Sequence, residues 1–220
     1  MVSVAKSGSA RIAALGISMA LAIAPTVAQT PLPFTDLLGQ ASDNALSKLG
    51  QPGAFYADEA VRIALPGPLR QANGILKFTD RAGLTTGVTK SLNDAAGQAT
   101  NAAKPIFRTA ISKLSIRDVP ALLTRSDGAT NFLRETAGAE LRAKMRPLIV
   151  TALGKTGAFA QMDKLSRTTS LLGRVGISRD TLSDSVTDQA MGGIFNYMGR
   201  EEAKLRANPL DLGRKLLGGN

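Results

Sequence analysis

Apolar residues in this chain recur at intervals of three and four along almost its whole length, and they alternate at every second position nowhere beyond residues 61–65. The first spacing stacks side chains on one side of a helix, whereas a half-buried strand needs a period of two. The pattern therefore predicts an all-α protein. It would be a single compact array of about seven or eight helices, with at most one short extended segment near 61–65.

The elements follow from the local signals. Thr35 to Leu49 places Leu37, Leu38, Ala41, Ala45, Leu46 and Leu49 on one helical face, and Gln51-Pro52-Gly53 stops it. Val61 to Leu65 looks extended and is closed by Pro66 and Pro68. Pro68 suits the first turn of a helix reaching about Arg81. Thr85 or Thr86 caps the next helix, through Val88, Leu92, Ala95, Ala96 and Ala99 to Ala103. Pro105 should kink that helix or begin a new one through Phe107, Ile111 and Leu114. Ser115-Ile116-Arg117-Asp118 has the form of a capping box and opens a short helix through Leu122 and Leu123.

Ser126-Asp127-Gly128 reads as a turn and cap before a long helix from Ala129, bent at Pro147, to Gly154. Asp127 and Thr130 look like helix-start chemistry. Another helix runs from Ala158 to about Leu172, and Ser178 or Asp180 caps the last long one, Thr181 to Arg206. Gly192-Gly193 falls inside that helix, where each glycine costs about 1 kcal/mol relative to alanine; a close helix contact or a kink would explain the pair. Asn208-Pro209 ends it, and Leu210 to Leu217 forms a short tail helix.

The first 28 residues stand apart. Lys6 and Arg11 precede an apolar run from Ile12 to Ala24, followed by Pro25 and the small residues Thr26 and Ala28. This order is that of a cleavable export signal, cut after Ala28, with residues 29–220 as one helical domain. The run is shorter than the roughly 20 residues of a spanning helix, and no later segment is long and apolar enough to cross a membrane. An exported, periplasmic protein is expected. With no cysteine at the cut, lipoprotein attachment is not expected.

Composition narrows the chemistry. Cysteine and histidine are both absent, so there are no disulfides, no Ser-His-Asp triad, no Cys-His pair and no histidine-based zinc site. No phosphate-binding glycine loop follows a strand, and no cofactor is called for. An enzyme built from this chain would have to use carboxylates, Lys, Tyr or Ser/Thr. The net charge is +10, and loss of Lys6 and Arg11 leaves +8 on the domain. A basic exported protein favours an anionic partner. The partners expected are envelope lipid, an anionic polymer or an envelope protein. Nucleic acid is not expected, and the oligomeric state is open.

Six polar residues are candidates for a ligand site or a polar network. Glu202 and Arg206 are one helical turn apart, with Asn208 beyond them; the plainer account is an i,i+4 ion pair worth a few tenths of a kcal/mol. Asn93, in an alanine-rich helix, could hydrogen-bond a loop backbone. Arg134 shares a broad face with Asp127 and Thr130. Arg62 lies in the extended segment. These point to a binding or structural role for an apolar or anionic ligand. The alternative is a carboxylate-dependent hydrolase, which would need several acids to converge in one cleft.

Several of these pieces occur together in a known family. Val61-Arg62-Ile63-Ala64-Leu65-Pro66, Asn93-Asp94-Ala95-Ala96, Pro105-Ile106-Phe107, Ser115-Ile116-Arg117-Asp118, Asp127 to Arg134 and Glu201 to Pro209 stand in an order that resembles domain-of-unknown-function family 4197. The resemblance covers about Gly50 to Leu217. It implies an all-helical exported bacterial protein, and it implies no activity and no site residues. The first helix here is shorter than is usual in that family.

Overall fold

The computed structural model describes residues 34–66, 84–114, 125–168 and 178–208, all within the compact unit Leu32–Asn220. The export signal and the helices expected over 68–81, 115–123 and 210–217 lie outside the described residues. Among the described residues there are six helices rather than seven or eight, and no strand: α1 (Phe34–Leu49), α2 (Ala54–Ala57), α3 (Leu84–Ser112), α4 (Gly128–Lys155), α5 (Ala158–Thr168) and α6 (Arg179–Ala207).

Four of them form a ring. α3 packs on α4, α4 on α6, α6 on α1 and α1 on α3, while the diagonal pairs meet little. This is the arrangement in which each helix buries one stripe against two neighbours. α1 turns Leu38, Ala41, Ala45, Leu46 and Leu49 inward, with Asp36 in its first turn and Lys48 in its last to complement the helix dipole. α3 buries Val88, Leu92, Ala95, Ala96, Ala99, Ala103 and Phe107. Its alanines let neighbouring helices come close, and Phe107 meets Phe195 of α6 with ring centroids 6.1 Å apart. Leu133, Leu141, Met145 and Ile149 of α4 complete the centre. A fully buried Leu92 cut to alanine should cost about 2–5 kcal/mol.

Two prolines lie inside long helices. α3 runs unbroken through Pro105, so no new helix begins there, and α4 continues through Pro147. Both prolines are exposed. The carbonyls they leave without a helical N–H therefore lie on the solvent side, where water can satisfy them.

Ser178, not Asp180, caps α6. Its hydroxyl accepts the Thr181 N–H at 3.1 Å, and the Thr181 hydroxyl accepts the Ser178 N–H at 2.9 Å, a reciprocal capping box. The mid-helix Gly193 is explained by close contact. A Cβ there would come within 3.0 Å of the Phe55 ring and 3.2 Å of Val61. α2 and the segment after it thus press onto the backbone of α6.

Candidate functional site

Glu202 is fully buried, and its partners explain why that is tolerated. The Ala129 and Thr130 N–H groups of α4 donate to its two carboxylate oxygens at 3.0 and 2.8 Å. Arg206 donates from two nitrogens at 2.9 and 2.7 Å. The first turn of a helix has amides with no partner of their own and carries partial positive charge. Asp127 stands at the N-cap of α4, but its side chain makes no capping bond. A carboxylate from α6 takes that role from across the fold. The surface i,i+4 pair expected from the sequence is therefore a buried joint between two helices.

Glu201 secures the same end to α1. It is nearly buried and accepts from Lys48 at 2.7 Å and Lys204 at 2.9 Å. Burial pushes its carboxyl upward, but the two lysine hydrogen bonds and charges outweigh that and hold it below its ordinary value.

Asn93 is also engaged in structure. Its side chain is buried and pairs with both backbone groups of Ile63: the Ile63 N–H donates to Oδ1 at 2.8 Å, and Nδ2 donates to the Ile63 carbonyl at 2.9 Å. Gln189 of α6 treats Ala64 in the same way, accepting its N–H at 2.8 Å and donating to its carbonyl at 3.1 Å. Residues 61–66 alternate like a strand, with Val61, Ile63 and Leu65 buried, yet they pair with no other strand among the described residues. Two side-chain amides, one from α3 and one from α6, supply the partners that a sheet would otherwise give. Arg62 points outward from this strap, donates to the Tyr56 carbonyl at 2.7 Å and lies over the Tyr56 ring. Asn208 ends α6 through its backbone, its N–H donating to the Lys204 carbonyl at 3.1 Å.

The remaining candidate, Arg134, belongs to a different setting. α4 and α6 run antiparallel and meet along rows of residues spaced by four. On α4 the row is Arg134, Gly138, Arg142 and Arg146; on α6 it is Asp180, Asp184, Asp188, Gly192, Asn196 and Arg200. Arg146 bonds Asp184 at 2.8 Å and Asp180 at 2.9 Å, and Arg142 bonds Asp188 with both nitrogens and approaches Asp184 at 3.5 Å. The Arg146 hydrogen bond, against a smaller opposing effect of burial, holds the Asp184 carboxyl below its ordinary range. Further along, the aspartates stop. Arg134 lies 4.9 Å from the centre of the Phe195 ring and has no carboxylate partner among the described residues.

A cleft of about 430 Å³ opens there. Thr130, Asn131 and Arg134 line it from α4, Ser126 and Asp127 from the turn before that helix, and Asn196, Gly199 and Arg200 from α6. A side chain at Gly199 would project to within 3.4 Å of the Asp127 Cβ, so glycine helps to keep the cleft open. Arg200 is shared with Asp58 at 3.4 Å, and Asp127 with Arg125 at 3.4 Å. Asp58 itself is held below its ordinary range, first by the Ala60 N–H and then by the Tyr197 hydroxyl at 2.8 Å. The buried Thr130 hydroxyl has no hydrogen-bond partner among the described residues.

The six candidates thus divide. Glu202 and Arg206 come together, Asn93 joins the segment that carries Arg62, and Arg134 and Asn208 stand apart from both groups. Gln189, Asn196 and Arg200 are not singled out by the sequence. For Asn196 and Arg200 the signal is the four-residue row on α6, which becomes informative once α4 is known to lie beside it; Gln189 lies outside that row. Among the described residues, no three acids gather as a metal site, and no helix is long and apolar enough to cross a membrane.

No curated protein and no solved structure matches the chain. Residues 32–219 match the family described as Protein of unknown function (DUF4197). That match covers nearly the whole chain, including all four helices of the ring and both walls of the cleft, and the chain belongs to the DUF4197 family.

Proposed function

We propose that this is a non-enzymatic binding protein of the bacterial cell envelope, exported behind its first 28 residues, which holds an anionic ligand in the cleft between α4 and α6. One observation carries the reading. Arg134 continues the row of Arg142 and Arg146, but the facing row on α6 supplies Asn196 and Arg200 where it earlier supplied aspartates. A phosphate or carboxylate group in the cleft would take the place of the missing acid, with Arg134 able to bind it through two parallel N–H groups. The asparagines can donate from their amides, and an envelope lipid headgroup or an anionic polymer carries suitable groups.

The hydrolase alternative draws less support. Glu202 already has both oxygens engaged, Glu201 is held by two lysines, and neither is left to move a proton.

Titration of the full chain with pyrophosphate, followed by isotope-resolved NMR, tests the proposal. Shifts are expected at Asn131, Arg134 and Asn196, and Arg134→Ala should weaken binding by about tenfold or more, the loss of one charge-assisted contact. Affinity unchanged in Arg134→Ala would overturn it.

A further inference from the structure

A second cavity has a different chemistry. It is a crevice of about 810 Å³ between α3 and the turn that joins α1 to α2, within the range of about 300–1,000 Å³ usual for small-molecule sites. Its charges cancel. Among the described residues, Lys90 and Asp94 are the only charged ones that line it, and they bond each other at 3.0 Å.

The rest of its polar wall is neutral and partly committed. Asn101 donates its amide N–H to the Gly50 carbonyl at 2.6 Å, which leaves its own carbonyl oxygen to accept. Gln51 donates to the Ser47 carbonyl at 3.3 Å and keeps its acceptor in the same way. Gln98 is exposed one turn beyond Asp94, and neither its amide nor the Tyr56 hydroxyl has a hydrogen-bond partner among the described residues. The crevice therefore offers acceptors, amide donors, a hydroxyl and one aromatic ring, with no net charge.

The wall is also fixed in place. A Cβ at Gly50 would meet the Asn101 side chain at 2.1 Å, so glycine lets the Asn101 amide pack directly against the turn whose carbonyl it holds. Gly53 turns the chain at φ +75°, a conformation that side chains disfavour. Hydrogen-bonding groups on a rigid wall lose little entropy when a ligand arrives.

We infer that this crevice binds an uncharged, hydroxyl-rich ligand, a segment of glycan, at a site separate from the anion cleft. Sugar hydroxyls both donate and accept, which suits the Gln98 amide and the Tyr56 hydroxyl. An anion would meet Asp94 and no unpaired cation, and an apolar ligand would leave the amides unsatisfied.

The test is NMR titration of the full chain with three neutral tetrasaccharides, from chitin, cellulose and starch. At least one should shift the Gln98 and Asn101 side-chain amides at millimolar concentration while leaving Arg134 unmoved. Gln98→Ala combined with Tyr56→Phe removes two hydrogen-bonding groups that hold nothing else among the described residues. It should weaken that binding by about tenfold with no change in melting temperature. Absence of shifts with all three sugars, or equal affinity in the double variant, would overturn the inference. Pyrophosphate binding at the α4–α6 cleft is read separately in the same spectra, so either site can fail without the other.

Discussion

The two ends of the α4–α6 contact are built on the same four-residue spacing and come out differently. At one end Arg142 and Arg146 are laced to Asp180, Asp184 and Asp188. At the other, Arg134 meets an aromatic ring and faces a cleft lined by Asn196 and Arg200. A charge matched by its neighbour contributes to holding helices together. A charge left without a match contributes little to stability, and it remains available to a ligand. Behind the cleft, Glu202 makes the contrast sharper, because there an internal carboxylate saturates the very helix end that would otherwise attract an external anion.

The largest effect should come from breaking the buried joint. Glu202→Ala would strand two α4 amides and the Arg206 guanidinium, and a loss of about 3–5 kcal/mol is expected from removing one partner of a buried pair. Chemical denaturation measures it; a loss below about 1 kcal/mol would reduce the joint to an ordinary surface pair.

Asn93→Ala comes next. It deprives the buried Ile63 N–H and carbonyl of their partner, at about 1–3 kcal/mol. Hydrogen exchange at Ile63 should accelerate with it, and unchanged protection there would mean that the strap is held by packing alone.

Glu201 contributes a smaller, pH-dependent part. Its folded-state carboxyl ionises below the ordinary value of 4.5, because two lysines outweigh burial. The folded chain therefore takes up this proton at lower pH than the unfolded chain does. The stabilisation is complete above pH 4.5 and is lost as pH falls through the lowered value. In Glu201→Gln the acid side of the stability profile should be flatter, and a profile that superimposes on the parent's would contradict the assignment.

Arg134→Ala should have the least effect on stability, within about 0.5 kcal/mol, since the cation loses only a contact with the Phe195 ring. A larger loss would place Arg134 with the structural charges instead.

Much of the helix pattern is legible in the sequence because burial in this fold follows spacing. The stripe Leu37 to Leu49 in α1 and the alanine face of α3 are buried as the period requires. Asn93 can be read as a backbone partner, since a lone amide among packed alanines has few other uses. What escapes the sequence depends on which helices become neighbours. The two arginines of the ladder and their aspartates lie 34 to 46 residues apart, and Glu202 reaches its α4 amides across 72 and 73. No local signal links such positions, so a buried cap and an i,i+4 surface pair look alike until α4 is placed. Pro105 is ambiguous for a related reason: the sequence marks the lost N–H but not which side of the helix faces water.

If Arg134 lacks an acid partner that a ligand supplies, Asn196→Asp should provide that acid from within. Pyrophosphate affinity measured by calorimetry in this variant should fall by about tenfold or more, with melting temperature unchanged or raised as Arg134 gains a partner. Affinity equal to or tighter than the parent's would contradict the account.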